Sequence, residues 1–403
     1  MMEGWKEYIL EDLGFVGRGK SRHRPRNEPF LYGDKYPFVQ TADVKSSNNR
    51  ISTYTQMYSE KGLKQSKLWP VNTLCITIAA NIADAAILDI EACFPDSIIG
   101  FIPDSKKSDV QFVKYLFDLL QVSIKQISQG AAQDNLSLEK LRSIKFLVPP
   151  LPTQNKIASI LSAYDDLIEN NLQRIKLLEE MAQQTYTEWF VRMKFPGHES
   201  VEWDEETGLP EGWERKSLDT FCSKITDGTH DSPKQVSTGY KLITGKHISD
   251  GFIDFETAYT ISEKDHLSIR KRSGLEKGDI LFSNIGTLGN IGVVTEDFEY
   301  SCKNVIIFKH KENYSNFLYT YLSNSSTKQK LSNQSAGVAQ KFYSLKFIRN
   351  LNDFFPSKTL IQKFDEEVRP IYKLKYNLHN QNQLLKEARD ILLPRLMTGM
   401  IEV

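Results

Sequence analysis

An internal duplication is the feature that most constrains how this chain can fold. When the sequence is displaced by 207 positions, residues 130–193 align with residues 337–400 without a gap. Fourteen of the sixty-four aligned positions are identical, where about four would be expected by chance. A repeat of this length indicates two tandem copies of one module and not the short units of a solenoid.

The segments that precede these two blocks also correspond, at an offset of 207 or 208. Glu3-Gly4-Trp5 aligns with Glu211-Gly212-Trp213, and the run 74–87 aligns with 281–294. The chain therefore alternates a variable domain with a helical block, twice. The expected boundaries are a first variable domain at 1–150, a helix at 151–193, a connector at 194–213, a second variable domain at 214–357 and a C-terminal helix at 358–403.

Both helical blocks carry apolar residues in the alternating spacing of three and four that is typical of a coiled-coil seam. Asn171 interrupts the first seam, where a buried amide lowers stability but fixes register and pairing. Pro370 predicts a delayed or interrupted second helix, because proline cannot donate the helical hydrogen bond. The first seam consists of Ile157, Leu161, Tyr164, Ile168, Asn171, Ile175, Leu178, Ala182, Thr185 and Trp189, and the second of Phe364, Val368, Ile371, Leu374, Leu378, Leu385, Ala388 and Leu392.

Each apolar stripe needs a partner helix, and the homologous stripe of the other block is available within the same chain. An intramolecular antiparallel pair is therefore expected, with two unrelated surface helices as the alternative. The variable domains contain short strand-like runs, such as Ile280–Phe282 and Val305–Phe308, between glycine and asparagine turns. The predicted fold class is α+β: two mixed α/β domains separated by two long antiparallel coiled-coil helices, with an internal pseudo-two-fold repeat.

Composition sets few limits on function. The 51 basic and 51 acidic residues cancel, but residues 18–67 hold eleven Lys or Arg against four Asp or Glu, so a neutral total hides a basic region. No apolar run approaches the roughly 20 residues that span a bilayer. No basic and apolar leader opens the sequence, and the four cysteines form no CxxC pair. A cytoplasmic protein with no membrane partner is expected.

The run from Gly14 to Ser21 matches the GxxxxGK[ST] pattern of a phosphate-binding loop. Such a loop needs a buried strand before it and a helix after it, whose amides cradle the phosphates. Glu11-Asp12-Leu13 is not an apolar strand, and Pro25 disfavours a helix. A P-loop ATPase is therefore the weaker interpretation, and a flexible basic loop over residues 18–26, suited to DNA phosphates or base edges, is the stronger one.

The other common catalytic patterns are missing from the sequence. It contains no GxSxG, HExxH or zinc-deaminase signature, and no evident glycine-rich loop for S-adenosylmethionine. Pro95-Asp96 followed by Asp104-Ser105-Lys106 is only weakly similar to a nuclease pattern. We therefore expect a protein that is not an enzyme and that needs no cofactor and no metal.

Four features together resemble the specificity subunits of bacterial type I restriction–modification complexes. The first two are the duplicated order of domain and helix and the run 147–154 that opens the first helix. The closing run 393–399 and the segment 226–234 in the second variable domain complete the set. The resemblance covers nearly the whole chain, and the order and spacing of these features are more specific than any one of them.

The resemblance implies a non-catalytic subunit that supplies DNA specificity to a methyltransferase and endonuclease complex. Each variable domain is then a target-recognition domain for one half of a bipartite site in double-stranded DNA. The paired helices would hold half-sites about 34 Å apart, one helical turn of DNA. The implied partners are two adenine-N6 methyltransferase subunits together with the restriction and translocation subunits. A coiled-coil scaffold without DNA specificity is the alternative.

Residue chemistry selects the positions that we expect to contact DNA. Ungapped matching at an offset of 208 places residues 18–26 of the first copy on residues 226–234 of the second. Arg and Lys bridge phosphates or read guanine, and Thr, Ser, Asn, Gln and His reach phosphates or base edges. The expected DNA-contacting residues are Arg18, Lys20, Ser21, Arg22, Arg24, Arg26, Thr77, Gln133, Thr226, Asp227, Thr229, His230, Lys234, Ser283, Asn284, Thr287, Gln340 and Lys341.

Overall fold

The computed structural model of the protein describes residues 4–47, 49–78, 84–127, 138–311, 314–334 and 342–403. Contacts divide the chain into two units, residues 1–173 with 378–403 and residues 174–377. Each unit contains one variable domain and one segment of each long helix. Within the ranges described, no helix is long and apolar enough to span a membrane.

The variable domain of the first unit has eleven strands and five helices among the described residues. The strands are β1 (Lys6–Tyr8), β2 (Gly14–Arg18), β3 (Tyr32–Phe38), β4 (Arg50–Ile51), β5 (Gln56–Tyr58), β6 (Leu68–Trp69), β7 (Leu74–Thr77), β8 (Ala85–Leu88), β9 (Ala92–Cys93), β10 (Ile98–Pro103) and β11 (Phe146–Val148). The helices are α1 (Leu10–Leu13), α2 (Thr41–Ser46), α3 (Glu60–Lys64), α4 (Val110–Ile127) and α5 (Leu138–Ser143).

These strands form three sheets. The largest has the order β2-β10-β7-β8-β4, a second has the order β5-β3-β9-β6, and β1 pairs with β11. Strand β7 is buried along its whole length, as expected for a central strand that is covered on both faces. Phe112, Val113 and Leu116 lie close together on α4 and join Ile76 and Phe101 in one buried cluster. The core of the unit therefore forms where α4 packs on the largest sheet.

The second unit repeats this plan with its own elements. Its strands are β12 (Glu214–Ser217), β13 (Cys222–Asp227), β14 (Tyr240–Ile243), β15 (Ile248–Ser249), β16 (Phe252–Ile253), β17 (Thr260–Ile261), β18 (Ile280–Ser283), β19 (Ile291–Val293), β20 (Ser301–Cys302), β21 (Val305–His310) and β22 (Asn352–Phe355). Helix α6 (Leu151–Tyr186) is the first long helix and is described below. The helices of the second variable domain are α7 (Glu263–Ser273), α8 (Ser315–Ser323), α9 (Ser325–Gln334) and α10 (Leu345–Arg349).

The two variable domains correspond in most of their strands; among the described residues, β4, β6, β15 and β16 lack a counterpart. The order β2-β10-β7-β8 recurs as β13-β21-β18-β19, and the order β5-β3-β9 recurs as β17-β14-β20. Strands β3 and β9 run parallel, as β14 and β20 do. A displacement of 207 positions also places α3 within α7. The duplication therefore extends through the variable domains, well beyond the segment in which identities are dense.

A β-bulge changes the alignment of the two copies by one residue. Arg18 pairs with Ile99 in the first unit, and Asp227 pairs with Ile306 in the second. Because Ile99 and Ile306 are 207 positions apart, Arg18 is equivalent to Asp227 and not to Thr226. A register shift near the start of β13 accommodates the extra residue. The ungapped offset of 208 is therefore wrong by one position beyond this bulge.

Two long helices, α6 (Leu151–Tyr186) and α11 (Lys358–Met397), follow the two variable domains. A π-helical turn at Thr187–Val191 continues α6. In the first unit Asp165 pairs with Arg389, and Asn171 pairs with Asn382. Residue numbers thus rise along one helix as they fall along the other, which confirms the predicted antiparallel pair.

Most of the predicted seam is buried or half-buried, but two expectations about the second helix are wrong. Leu374 is 39% exposed, and Lys375 is buried in its place. Helix α11 also continues through Pro370 without interruption. Both Pro370 and Glu366, whose carbonyl loses its helical donor, are exposed, so water can solvate the freed group and the helix tolerates the proline. The fully buried positions of the two predicted seams are Ile157, Leu161, Ile168, Asn171, Ile175, Ala182, Phe364, Val368, Ile371 and Leu378.

Buried polar contacts specify the pairing of the helices in the first unit. Asn171 Nδ2 donates to Asn382 Oδ1 at 2.9 Å, so the seam asparagine has a specific partner. Arg389 Nη1 donates to one oxygen of Asp165 at 2.6 Å, and the Tyr115 hydroxyl of α4 donates to the other at 2.6 Å. Any shift of the helices would leave these buried groups without partners, and that penalty favours a single register.

In the second unit, a buried lysine performs the corresponding role. Lys375 Nζ donates to Glu179 Oε2 at 2.6 Å, to the Asp250 carbonyl at 2.7 Å and to the Tyr319 hydroxyl at 3.0 Å. Burial lowers the pKa of Lys375, and the adjacent Glu179 carboxylate opposes that shift. Lys375 therefore ties a strand–strand turn, a domain helix and both long helices together within this unit.

Candidate nucleic-acid interface

In the first unit, the predicted basic loop follows β2 and packs along the segment that leads into β10. The Gly19 amide donates to the Ile98 carbonyl at 2.8 Å, and the Lys20 amide donates to the Phe94 carbonyl at 2.9 Å. A Cβ atom on Gly19 would lie 2.2 Å from the carbonyl oxygen of Pro95, so a larger residue does not fit without displacement. The glycine of this loop therefore has a packing role.

These contacts exclude the phosphate-binding-loop interpretation. Gly14, the first glycine of the pattern, begins strand β2, and the next helical turn along the chain is the short one at Pro29–Leu31. No helix N-terminus therefore stands where the pattern would require one. Ser21, whose hydroxyl would have to reach a metal-bound nucleotide, is buried and lies 3.4 Å from the Tyr58 hydroxyl. The geometry gives no support to a P-loop ATPase.

Asp96 anchors three arginines of this loop. Arg18 Nε donates to the Asp96 carbonyl at 2.5 Å, and Arg26 Nη2 donates to the Asp96 carboxylate at 2.5 Å. Arg24 lies 3.7 Å from the same carboxylate. Arg22 is exposed and makes no ion pair with the part of the chain that the structure describes, so its guanidinium is available to a ligand.

Exposed aromatic rings lie beside the basic loop. Phe30 is 45% exposed, and the edge of the His23 ring meets it at a centroid distance of 5.0 Å. Phe15 is 54% exposed, with Lys67 Nζ 4.7 Å from its ring centre, and Lys61 Nζ lies 5.8 Å from the ring of Phe30. Basic and aromatic side chains together suit a nucleic acid, which offers phosphates and base faces. Sequence patterns do not reveal this group, because only the fold brings its members together.

In the second unit, the equivalent loop follows β13 and repeats the glycine contact of the first, while the next amide bonds a carbonyl one position further along. The Gly228 amide donates to the Val305 carbonyl at 2.9 Å, and the Thr229 amide donates to the Cys302 carbonyl at 3.0 Å. A Cβ atom on Gly228 would lie 2.2 Å from that Cys302 oxygen. This equals the distance between a Cβ atom on Gly19 and the Pro95 oxygen, so both positions require glycine. The two loops are thus one structure built twice with different side chains.

His230 is held at the centre of the second loop. Its Nδ1 lies 2.9 Å from Asn304 Oδ1, and its Nε2 lies 2.8 Å from Asp227 Oδ2. The Arg272 guanidinium lies 3.5 Å from the same Asp227 carboxylate. The His230 side chain nevertheless stays 56% exposed. Thr226 is buried within β13, so its contribution is to the strand and not to the exposed surface.

A cleft of about 590 Å³ opens beside this loop. Thr229 and Lys234 line it from the loop, and Ser268 and Arg272 line it from helix α7. The Thr229 hydroxyl accepts a hydrogen bond from the Asp231 amide at 3.1 Å, which fixes the turn. Lys234 is exposed and makes no ion pair with any described residue, so a cation stands free at the mouth of the cleft.

The second predicted recognition turn divides into a buried base and an exposed tip. Ser283 and Asn284 are buried; Ser283 Oγ accepts from the Asn290 amide at 2.9 Å, and Asn284 Nδ2 donates to the Tyr343 carbonyl at 3.3 Å. Thr287 is exposed at the tip. Of these three predicted residues, Thr287 alone is placed to reach a ligand directly, and the other two shape the turn.

Four predicted residues remain. Thr77 is buried at the end of β7, and its amide donates to the Asp84 carbonyl at 2.9 Å. Its side chain therefore belongs to the interior of the domain in this structure. The other three lie outside the described residues, and their contacts stay predictions: Gln133, Gln340 and Lys341.

The weak nuclease pattern does not form a site. Asp96 precedes β10 and Asp104 follows it, so the two carboxylates stand at opposite ends of a strand about 20 Å long. Among the residues that the structure describes, no group of three or more His, Cys, Asp or Glu is placed to hold a metal ion.

The four cysteines are free and buried. Burial raises the pKa of Cys222 and of Cys302 to about 12, so these thiols stay protonated at neutral pH.

A duplicated α/β domain presents an equivalent polar loop in each copy, basic in the first, and a long pairing helix follows each domain. This arrangement suits a protein that recognises nucleic acid. The family model described as "Type I restriction modification DNA specificity domain" matches residues 2–180 and 210–365. The chain belongs to this family. It is a specificity subunit, the non-catalytic DNA-recognition subunit of a type I restriction–modification system. Such subunits bind DNA and assemble with methyltransferase and restriction subunits.

Individual relatives agree with the family assignment. The MjaIX specificity subunit of Methanocaldococcus jannaschii is 26% identical over 412 residues, which cover 99% of this chain and 94% of the relative. The MjaVIII specificity subunit of the same organism is 24% identical over 307 residues, covering 74% and 72%. The crystal structure of a type I S subunit from M. genitalium has a TM-score of 0.56 at 16% identity, covering 97% of this chain and 96% of that one; this likeness concerns the fold.

Proposed function

We propose that the protein recognises a bipartite target in double-stranded DNA, with residues 1–150 reading one half-site and residues 214–357 reading the other. The observation that carries the proposal is the repeated loop, in which the glycine amide donates to the equivalent carbonyl in both copies while the side chains at the surface differ. Lys20 and Arg22 are presented in the first copy, and His230 and Lys234 in the second. Two half-sites of different sequence need this combination of a shared scaffold and unlike chemistry.

The proposed roles follow from burial and pairing. Arg22 and Lys234 are exposed cations that bind phosphates or guanine edges, and His230 and Thr287 are exposed groups that hydrogen bond to bases or phosphates. Arg18, Arg24 and Arg26 hold the first loop in shape through Asp96, and they add to its positive potential. The buried residues predicted by sequence support the surface from beneath: Ser21, Thr77, Thr226, Ser283 and Asn284.

We further propose that two methyltransferase subunits dock on the long helices. Leu167 and Leu384 are 54% and 65% exposed in the first unit, and Leu374 and Leu177 are 39% and 62% exposed in the second. The displacement of 207 positions relates Leu167 to Leu374 and Leu177 to Leu384, so the two pairs occupy equivalent positions in the repeat. Single exposed leucines are common on protein surfaces, but these recur at equivalent positions of both units. A surface that occurs twice suits two copies of one partner. Restriction subunits would join this core.

The long helices are proposed to set the separation of the half-sites. Helices of 36 and 40 residues are about 54 and 60 Å long at 1.5 Å per residue, which allows half-sites one turn of DNA apart. Buried polar pairs that permit one register make such a spacer constant. The same proposal places the protein in the cytoplasm, where the DNA that it reads is found.

The test is to express this chain with its methyltransferase subunit and to map N6-methyladenine across the host genome. We expect methylation confined to one split motif. Exchange of residues 214–336 for those of another family member should change one half of that motif, and exchange of residues 1–150 should change only the other half. The two exchanges serve as controls for each other, because each leaves the opposite half-site intact.

Two outcomes would overturn the proposal. A stable complex that methylates no defined sequence would indicate a scaffold without specificity. A domain exchange that changes both halves of the motif together would show that the two variable domains do not read separate half-sites.

A further inference from the structure

We propose that a helix beside each recognition loop forms a second DNA-contacting element, which binds the phosphate backbone through one equivalent lysine per domain. The helices are α3 and α7, and the lysines are Lys64 and Lys271. The inference rests on the proposed function, because it requires DNA to lie against the recognition loops. It adds two residues that neither the motifs nor the fold family assign to a role on this chain.

The duplication places the two helices at equivalent positions. A displacement of 207 residues brings Lys64–Ser66 onto Lys271–Ser273. Both serines are buried, at 7% and 3% exposure, whereas both lysines are exposed. The buried serines are explained by packing. The lysines have no packing role, so their presence at equivalent exposed positions points to a shared ligand.

In the first unit, the residues that follow α3 hold the recognition loop directly. Gln65 Oε1 accepts a hydrogen bond from the His23 amide at 3.0 Å, and Ser66 Oγ donates to the Lys20 carbonyl at 2.7 Å. Lys64 is therefore adjacent in sequence to the side chains that bond the loop.

In the second unit, the end of α7 makes the corresponding contacts. Arg272 Nη2 donates to the Asp227 carbonyl at 3.3 Å and also to the Gly228 carbonyl. Lys224 Nζ donates to the Arg272 carbonyl at 2.8 Å. Helix α7 thus forms one wall of the cleft whose other wall is the recognition loop, and Lys271 precedes the residue that joins the two walls.

A buried histidine fixes the orientation of α7. His266 is 2% exposed, its Nδ1 lies 2.9 Å from Ser301 Oγ, and its Nε2 lies 3.1 Å from the Glu299 carboxylate. Its ring stacks on Tyr240 at a centroid distance of 3.9 Å. With this face held against the β17-β14-β20 sheet, the helix period turns the side of Lys271 towards solvent.

Lys64 and Lys271 differ from the neighbouring arginines because the arginines form ion pairs with protein carboxylates. Arg270 pairs with Glu299 at 2.9 Å, and Arg272 pairs with Asp227. Neither Lys64 nor Lys271 makes an ion pair with any residue that the structure describes. Lys64 contributes to the lowered pKa of Glu60 on the same helix without forming a short ion pair with it. A lysine outside a short ion pair can neutralise a DNA phosphate and release the cations condensed around it, and this release makes a favourable contribution to binding that depends on salt.

The experiment measures binding of the purified complex with its methyltransferase subunit to a fluorescent DNA duplex of about three helical turns that contains the mapped target. We compare wild type, Lys64→Ala/Lys271→Ala and a control, Lys145→Ala/Lys277→Ala. The control removes the same charge, one lysine from each unit, but those exposed lysines already pair with Glu7 and Asp297. Anisotropy titrations between about 50 and 300 mM salt give the slope of log K against log salt for each protein.

We expect the Lys64→Ala/Lys271→Ala slope to be shallower than that of wild type by about 2, or about 1 for each phosphate that is no longer neutralised. The control slope should match wild type, and Lys64→Arg/Lys271→Arg should restore it. The methylated motif should stay the same, because phosphate contacts carry no sequence information.

A slope for Lys64→Ala/Lys271→Ala that equals wild type, in a complex that still methylates its split motif, would overturn this inference and leave the proposed function intact. Equal competition by single-stranded RNA would also overturn it, since the proposed ligand is duplex DNA. Absence of any sequence-restricted methylation by wild type would instead contradict the proposed function. All four lysines are exposed, so thermal unfolding midpoints should not change, and a matching midpoint excludes a folding defect.

Discussion

At the scale of single residues, pairing decides which basic side chains are available to DNA. Arg24 and Arg26 share the Asp96 carboxylate, which reduces their free charge, and Arg18 donates to the Asp96 carbonyl, so that Asp96 holds the loop in one conformation. Lys20 and Arg22 stand in the same loop without an ion pair to any described residue. The three arginines held by Asp96 therefore shape the surface, and Lys20 and Arg22, which Asp96 does not hold, provide its ligand-binding charge.

Replacement of Lys20 and of Arg22 by alanine tests this division. Each change should weaken DNA binding and make its salt dependence shallower by about 1 in the log–log slope, because one phosphate is no longer neutralised by the protein. Lys145→Ala, which removes a charge already paired with Glu7, is the matched control. Titration of the methyltransferase complex over a salt series measures the effect. Unchanged binding in both variants would remove this loop from the DNA interface.

The residue scale also shows where prediction from sequence ends. The basic loop is predictable because five cations lie within residues 18–26, which is a local signal. Its anchor, Asp96, is not predictable, because the contact spans 70 residues from Arg26 and depends on the pairing of β2 with β10. Burial of Ser283 and Asn284 is likewise out of reach, since a turn sequence does not reveal which side chains point inward.

At the scale of elements, periodicity predicts the long helices and their antiparallel pairing, but local rules misjudge the second one. Proline disfavours a helix interior, yet α11 contains Pro370 because its packed face stabilises the whole helix. The repeat itself is visible in the sequence only where identities are dense. The equivalence of α3 and α7 emerges from strand order, because domains with different targets keep the fold while their surface sequences diverge.

The pairing of Asn171 with Asn382 provides a test at this scale. Asn171→Leu alone should destabilise the protein by about 1–3 kcal/mol, because Asn382 is left buried without its partner. Asn171→Leu/Asn382→Leu should recover most of that stability, since two leucines pack across an apolar seam. Chemical denaturation of both single variants and of the double variant gives the coupling free energy. Additive effects would show that the two amides do not act as a pair.

At the scale of the whole molecule, the duplication links one chain to two copies of the same partner. The exposed part of an apolar side chain adds no stability to its own unit, and the exposed leucine pairs nevertheless occur in both copies of the repeat. Each unit carries one complete pair, Leu167 with Leu384 in the first and Leu177 with Leu374 in the second. The stoichiometry of the complex should therefore be set independently by the two units.

Charge placed on one pair should remove one methyltransferase subunit and leave the other bound. Native mass spectrometry of the purified complex should show two methyltransferase subunits for wild type. It should show one for Leu167→Glu/Leu384→Glu and one for Leu177→Glu/Leu374→Glu. Gln383→Glu is the control, because this exposed residue lies about 100° around the helix from Leu384. Retention of two subunits in both double variants would show that the methyltransferase docks elsewhere, and release of both from either variant would show that one docking surface depends on the other.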